Sequence, residues 1–258
     1  MPHLELFLTS HALWWVCLIA SLAGLAHGLT GFGFPMISTP VVALFTDVKT
    51  AVLVTLFPNI VVNVVSIFKG GNWRHSLGRH WAIAGYVVIG TVAGTQFVLI
   101  APPDPLKLLL AAMIVVYLRQ DTFRRIDWSR IAAHPQVAGL VFGLLAGFLS
   151  GAVNVSVPPL LIYFTSLGLG PAAMTQVLNL CFFVGKVTQA ATLGGAGEIS
   201  VAAGIATIPV IVAALGGVLV GSYFQTRMKP ELYRGIIRIV LWAMALLLVF
   251  QAGYMIAN

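Results

Sequence analysis

The same interruption occurs twice in this sequence. Gly28-Leu-Thr-Gly-Phe-Gly-Phe-Pro35 and Gly151-Ala-Val-Asn-Val-Ser-Val-Pro158 each break a long apolar run, end in proline, and lie 123 positions apart. The register agrees beyond the breaks: Gly24 aligns with Gly147, Gly28 with Gly151 and Pro35 with Pro158, without a gap. A broken apolar helix at corresponding points of two halves is a sequence pointer to a binding site at the membrane midplane. It also restricts the fold, because irregular backbone at membrane depth is tolerated only when buried in protein or lining a cavity.

The membrane setting follows from composition. The chain of 258 residues is 59% hydrophobic and 8% charged, against about 25% charged in soluble domains. Apolar runs occupy roughly 12–30, 35–46, 49–68, 81–101, 105–118, 136–151, 158–168, 171–193, 200–224 and 232–256. A span needs about 20 residues, so 35–46 and 158–168 read as half-helices that follow the breaks. The expected fold is an all-α integral membrane protein of two inverted-topology repeats. Each repeat is a broken helix or re-entrant hairpin plus three transmembrane helices, giving about eight helical elements crossing or entering the membrane. The boundaries predicted are 1–119 for the first repeat, 120–135 for a basic linker and 136–258 for the second, in a single membrane domain. The first run lacks a basic leader and a cleavage motif and is read as retained.

Basic residues set the orientation. Of 14 Lys and Arg, eleven fall in 69–80, 119–130 and 225–238, which the positive-inside rule places in the cytoplasm with both termini outside. The first half then enters from outside and the second from inside. Small residues at four-residue spacing, such as Gly139, Gly143, Gly147 and Gly151, suit close helix packing in lipid.

Polar groups within the runs are the candidate binding residues. The first break offers Thr30, Gly31, Phe32 and Gly33, and the second Asn154, Val155 and Ser156. Each restarting half-helix aims its N-terminus inward, where free N–H groups and the dipole favour an anion. Proline kinks in ordinary spans are the plain alternative. Lys186 is a charge deep inside an apolar run, and an intramembrane cation is a functional candidate by default, with snorkelling to a headgroup as its alternative. Its repeat counterpart is Asn63, one turn from Asn59; Asn179 and Gln189 lie on roughly the Lys186 side. These amides suit substrate binding or interhelical hydrogen bonds alike. His27 is read as a substrate contact, a proton carrier or a packing residue. Every acid lies at a loop or helix end, so the pattern favours an anion over a cation. Cys17 and Cys181 form no C-x-x-C pair, and no motif for a metal, a cofactor or nucleic acid is present.

Gly24-x3-Gly28-x2-Gly31-x-Gly33-x-Pro35, its second copy from Gly147 to Pro158, and the four-plus-four layout resemble the TauE/SafE family, the sulfite-exporter or TSUP group of membrane permeases. The resemblance implies a non-enzymatic permease of the bacterial inner membrane for a small sulfur-containing anion such as sulfite or an organosulfonate. The partners expected are that anion and the bilayer, with a homodimer left open. The alternatives are transport of another small anion, such as a carboxylate or thiosulfate, and a membrane-embedded sulfur-handling enzyme using Cys17 or Cys181.

Overall fold

A computed structural model describes residues 12–69, 73–123 and 133–257, and among these there are helices and no strands. The first half contains α1 (Ala12–Thr30), α2 (Phe34–Phe45), α3 (Val48–Ile67), α4 (Trp73–Ile100) and α5 (Pro103–Leu118). The second contains α6 (Pro135–Val153), α7 (Val157–Ser166), α8 (Pro171–Gly195), α9 (Val201–Ala206), α10 (Ile208–Gln225) and α11 (Pro230–Ala257), and a single turn, Gln120–Phe123, follows α5. Arg124, Arg125 and Arg130 of the basic linker and residues 1–11 lie outside the described residues.

Among the described residues, seven segments are long and apolar enough to cross a membrane. The runs after the breaks, α2 with 12 residues and α7 with 10, are too short to do so. The chain is an all-α integral membrane protein. Two details differ from the sequence expectation. The run 200–224 is divided at Thr207, where Ser200 caps α9 and Pro209 enters the first turn of α10. The span α5 has only 16 residues, about 24 Å at helical rise, which is short of a full crossing.

The internal register is visible in the helix boundaries. The end of α1 at 30 and the starts of α2 and α3 at 34 and 48 recur at 153, 157 and 171, each displaced by 123. After α8 the displacement becomes 127, as Pro103 at the start of α5 and Pro230 at the start of α11 show. The change is absorbed at the end of α8, which has 25 residues where α3 has 20.

Glycines decide how these helices pack. The most extensive interfaces join the first helix of each half to a later helix of the other, α1 with α10 and α6 with α4. Gly24 and Gly28 of α1 lie against the backbone of Ala214 and Val218; Gly147 and Gly151 of α6 lie against Val87 and Thr91. Residue numbers rise together along both seams, so each pair runs parallel. The opposite faces of α1, with Trp14, Trp15, Leu18 and Leu22, are exposed, as expected of a lipid-facing surface.

Polar links tie the halves at the helix ends. Asp47 caps α3 by accepting from the Thr50 N–H at 3.0 Å, a cap of about 1 kcal/mol. Next to it, Lys49 pairs with Glu198 of the α8–α9 connection at 2.8 Å, with side chains 31% and 19% exposed. Such a screened pair contributes at most about 1 kcal/mol. Lys49→Met is therefore expected to leave the unfolding temperature within a few degrees of the parent, read by thermal unfolding in detergent.

Candidate functional site

Both breaks turn on one left-handed residue at the same repeat position. Gly31 has φ 88° and Asn154, 123 positions on, has φ 65°. A left-handed residue past the end of a helix reverses the chain and lets its N–H return to the last turn. Gly31 N–H bonds the His27 carbonyl at 2.6 Å, and Asn154 N–H bonds the Leu149 carbonyl. Asparagine tolerates this conformation better than other side chains.

Each break is held by the opposite half. Asn179 of α8 donates to the Gly31 carbonyl at 2.7 Å. Asn154 in turn donates to Thr39 Oγ1 of α2 at 2.7 Å and to Thr55 Oγ1 of α3 at 2.9 Å. The two breaks are thus cross-linked through α8 on one side and α2 with α3 on the other.

His27 is built into the first break. Its Nδ1 accepts from the Phe34 N–H at 3.3 Å, the first residue of α2. Nδ1 as acceptor places the ring proton on Nε2, which stands 2.8 Å from Ser66 Oγ. His27 therefore caps the restarting helix, and both ring nitrogens are engaged by protein. The Thr30 hydroxyl bonds its own helix at Ala26 O, 2.8 Å away.

The second break holds a buried cation. Lys186 is 2% exposed. Its Nζ donates to the Ser150 carbonyl at 2.9 Å and to Gln189 Oε1 at 2.5 Å, and Gln189 Nε2 donates to the Gly151 carbonyl at 2.7 Å. Ser150 and Gly151 lie in the last turn of α6, whose carbonyls have no partner within the helix. Lys186 thus sits at the negative end of the α6 dipole, held by neutral acceptors. No described carboxylate pairs with it.

The other expected residues are distributed as follows. Asn59 and Asn63 are fully buried on α3 and share a hydrogen bond of 3.1 Å, leaving Asn59 Nδ2 and Asn63 Oδ1 without a partner among the described residues. Val155 and Ser156 are buried beside Asn154. Phe32 and Gly33 complete the first break, and the hydrogen bonds of Lys186 reach only the second. The supply of half-helix N–H groups is smaller than the dipole argument suggests: His27 takes that of Phe34, and Pro35, Pro158 and Pro159 have none. Cys181 is buried, Cys17 partly so, and both are free thiols.

Sequence reasoning missed Thr39, Thr55, Ser66 and Ser150. A signal for two of them was present: Thr55, Asn59 and Asn63 recur every four residues along α3, and Ser66 continues that stripe. At the end of α3, Lys69 reaches Ser222 of α10, and burial lowers its pKa below the usual lysine value.

The family model described as sulfite exporter TauE/SafE matches residues 16–248. A search of curated proteins and a search of solved structures each found no match. Doubled glycine breaks, seven apolar spans and a family match over nearly the whole length lead to one assignment: the chain belongs to the sulfite exporter TauE/SafE family of multi-pass membrane transporters.

Proposed function

We propose that this protein is a secondary transporter of a small sulfur-containing anion, an organosulfonate or sulfite, held between the two breaks with Lys186 as its counter-charge. One observation carries the reading. A lysine is buried among neutral acceptors, with two of its three N–H donors used and no described carboxylate to balance it. A buried charge is costly unless paired, and an anionic substrate supplies the pairing. The seam of parallel helices and the basic clusters support two inverted repeats in the bacterial inner membrane, with loops 69–80, 119–130 and 225–238 cytoplasmic and both termini outside. Asn59, Asn63, Asn154, Ser156, Asn179 and Gln189 complete a polar lining in this reading, while Thr30 and His27 shape the first break.

The test is thermal unfolding of the purified protein against sulfite, sulfoacetate, thiosulfate, acetate and sodium or choline salts at constant ionic strength. Sulfite or sulfoacetate is expected to raise the unfolding temperature in a saturable way, as ligand binding to the native state requires. A shift with acetate alone would move the substrate to the carboxylates. A saturable shift with a cation alone would overturn the reading.

A further inference from the structure

Thr91 and Thr95 stand one turn apart on α4, both fully buried, and neither hydroxyl has a hydrogen-bond partner among the described residues. That is unusual for this molecule. Other buried helical hydroxyls have partners: Ser38 donates to the Phe34 carbonyl at 2.8 Å, Thr55 to that of Ala51 at 2.7 Å, and Ser66 meets His27. For Thr91 and Thr95 those carbonyls belong to Val87 and Thr91, and both face the glycine seam of α6. A methyl built on Gly151 would lie 2.5 Å from the Thr91 carbonyl, and one on Gly147 closer still to that of Val87.

The helix that carries both threonines packs against α8, which carries Lys186. A methyl built on Gly185, the residue before Lys186, would stand 3.3 Å from Thr91 Oγ1 and 3.2 Å from Ser150 Oγ. Ser150 supplies the carbonyl that holds Lys186. Thr95 is level with Gly151, whose carbonyl Gln189 binds. The repeat offers no equivalent pair: displaced by 127, the same positions are Val218 and Ser222, and Ser222 already bonds Val218 O and Lys69. An unpaired hydroxyl buried in a protein interior is costly, and two on the helix packed against that of Lys186 suit an oxyanion.

We infer that Thr91 and Thr95 are substrate-binding residues whose hydroxyls donate to the oxygens of the anion that Lys186 neutralises. The inference rests on the anion reading of Lys186. A sulfonate or sulfite group presents three oxygens, enough for one ammonium N–H and two hydroxyls to bind separate acceptors.

The test uses Thr91→Val and Thr95→Val, with Thr91→Ser and Thr95→Ser as conservative partners, titrated with sulfoacetate and sulfite in detergent. Valine keeps the shape and removes only the hydroxyl. The expected result is an unfolding temperature without anion equal to or above the parent, with anion affinity weakened about tenfold. The serine variants are expected to retain near-parent affinity. Valine variants that bind as the parent does, or that are less stable with unchanged affinity, would overturn the assignment, as would failure to fold. Binding that Lys186→Gln loses and both valine variants keep overturns this inference alone. Absence of anion binding to the parent protein overturns it together with the functional reading.

Discussion

Lys186→Ala is expected to abolish anion binding and transport and to lower stability, whereas Lys186→Gln is expected to separate the two effects. Alanine removes the charge and leaves the Ser150 carbonyl and Gln189 Oε1 buried without their donor. Each orphaned acceptor costs about 1–3 kcal/mol. Glutamine retains an amide donor for the same carbonyl and removes only the charge. A hydrogen bond to a charged group contributes about 1.5–3 kcal/mol, so Lys186→Gln is expected to weaken anion binding roughly 10- to 150-fold at modest cost in stability. Equilibrium binding beside thermal unfolding, on the same preparations, reads both. If Lys186 were only a cap on α6, Lys186→Gln would bind the anion as tightly as the parent.

The second large effect concerns two adjacent glycines. Gly217→Ala is expected to disrupt the α1–α10 seam, and Gly216→Ala to leave it intact. A methyl on Gly217 would stand 2.9 Å from the Leu25 nitrogen and closer to the Ser21 carbonyl, whereas one on Gly216 meets nothing within 4 Å. The groups in the way are backbone and have no rotamer to give. Overpacking of this kind costs about 1–3 kcal/mol and sometimes more. Alanine in an unobstructed helical position is favoured over glycine by up to about 1 kcal/mol. The two substitutions should thus move the unfolding temperature in opposite directions. Equal destabilisation by both would refute the parallel seam.

These two sites show what the amino-acid order discloses and what it conceals. The doubled break was legible because Gly28–Pro35 and Gly151–Pro158 interrupt apolar runs in one register, and the boundaries of α1–α3 recur 123 positions later. The family was legible from the same residues. Which face of α1 and α10 is packed was not legible from polarity, because both are apolar over most of their length; Gly24, Gly28, Gly217 and Gly221 mark the seam between them. The change of register from 123 to 127 was hidden because the end of α8 reads as one more stretch of small and apolar residues.

Within the site, side chains were easier to foresee than their partners. Lys186 stood out because a charge in an apolar run is expensive. Its acceptors did not, since the carbonyl of Ser150 has no signature in a sequence. His27 was open to three readings for the same reason: its role depends on the N–H of Phe34, a backbone group. The dipole argument foresaw the positive ends of α2 and α7 and overlooked the negative ends of α1 and α6, which arrive at the same breaks. Lys186 answers one of these negative ends, so it has a structural task as well as the proposed functional one.

The most direct measurement is the position of a bound anion. Selenite, a heavy analogue of sulfite, soaked into crystals of the protein at saturating concentration would be located by its anomalous scattering. The expected result is one peak within hydrogen-bond distance of Lys186 Nζ, beside the second break, absent from crystals of Lys186→Gln. A peak at another place in the membrane interior, or the same peak in the glutamine variant, would contradict the claim that this lysine is the counter-charge for transport.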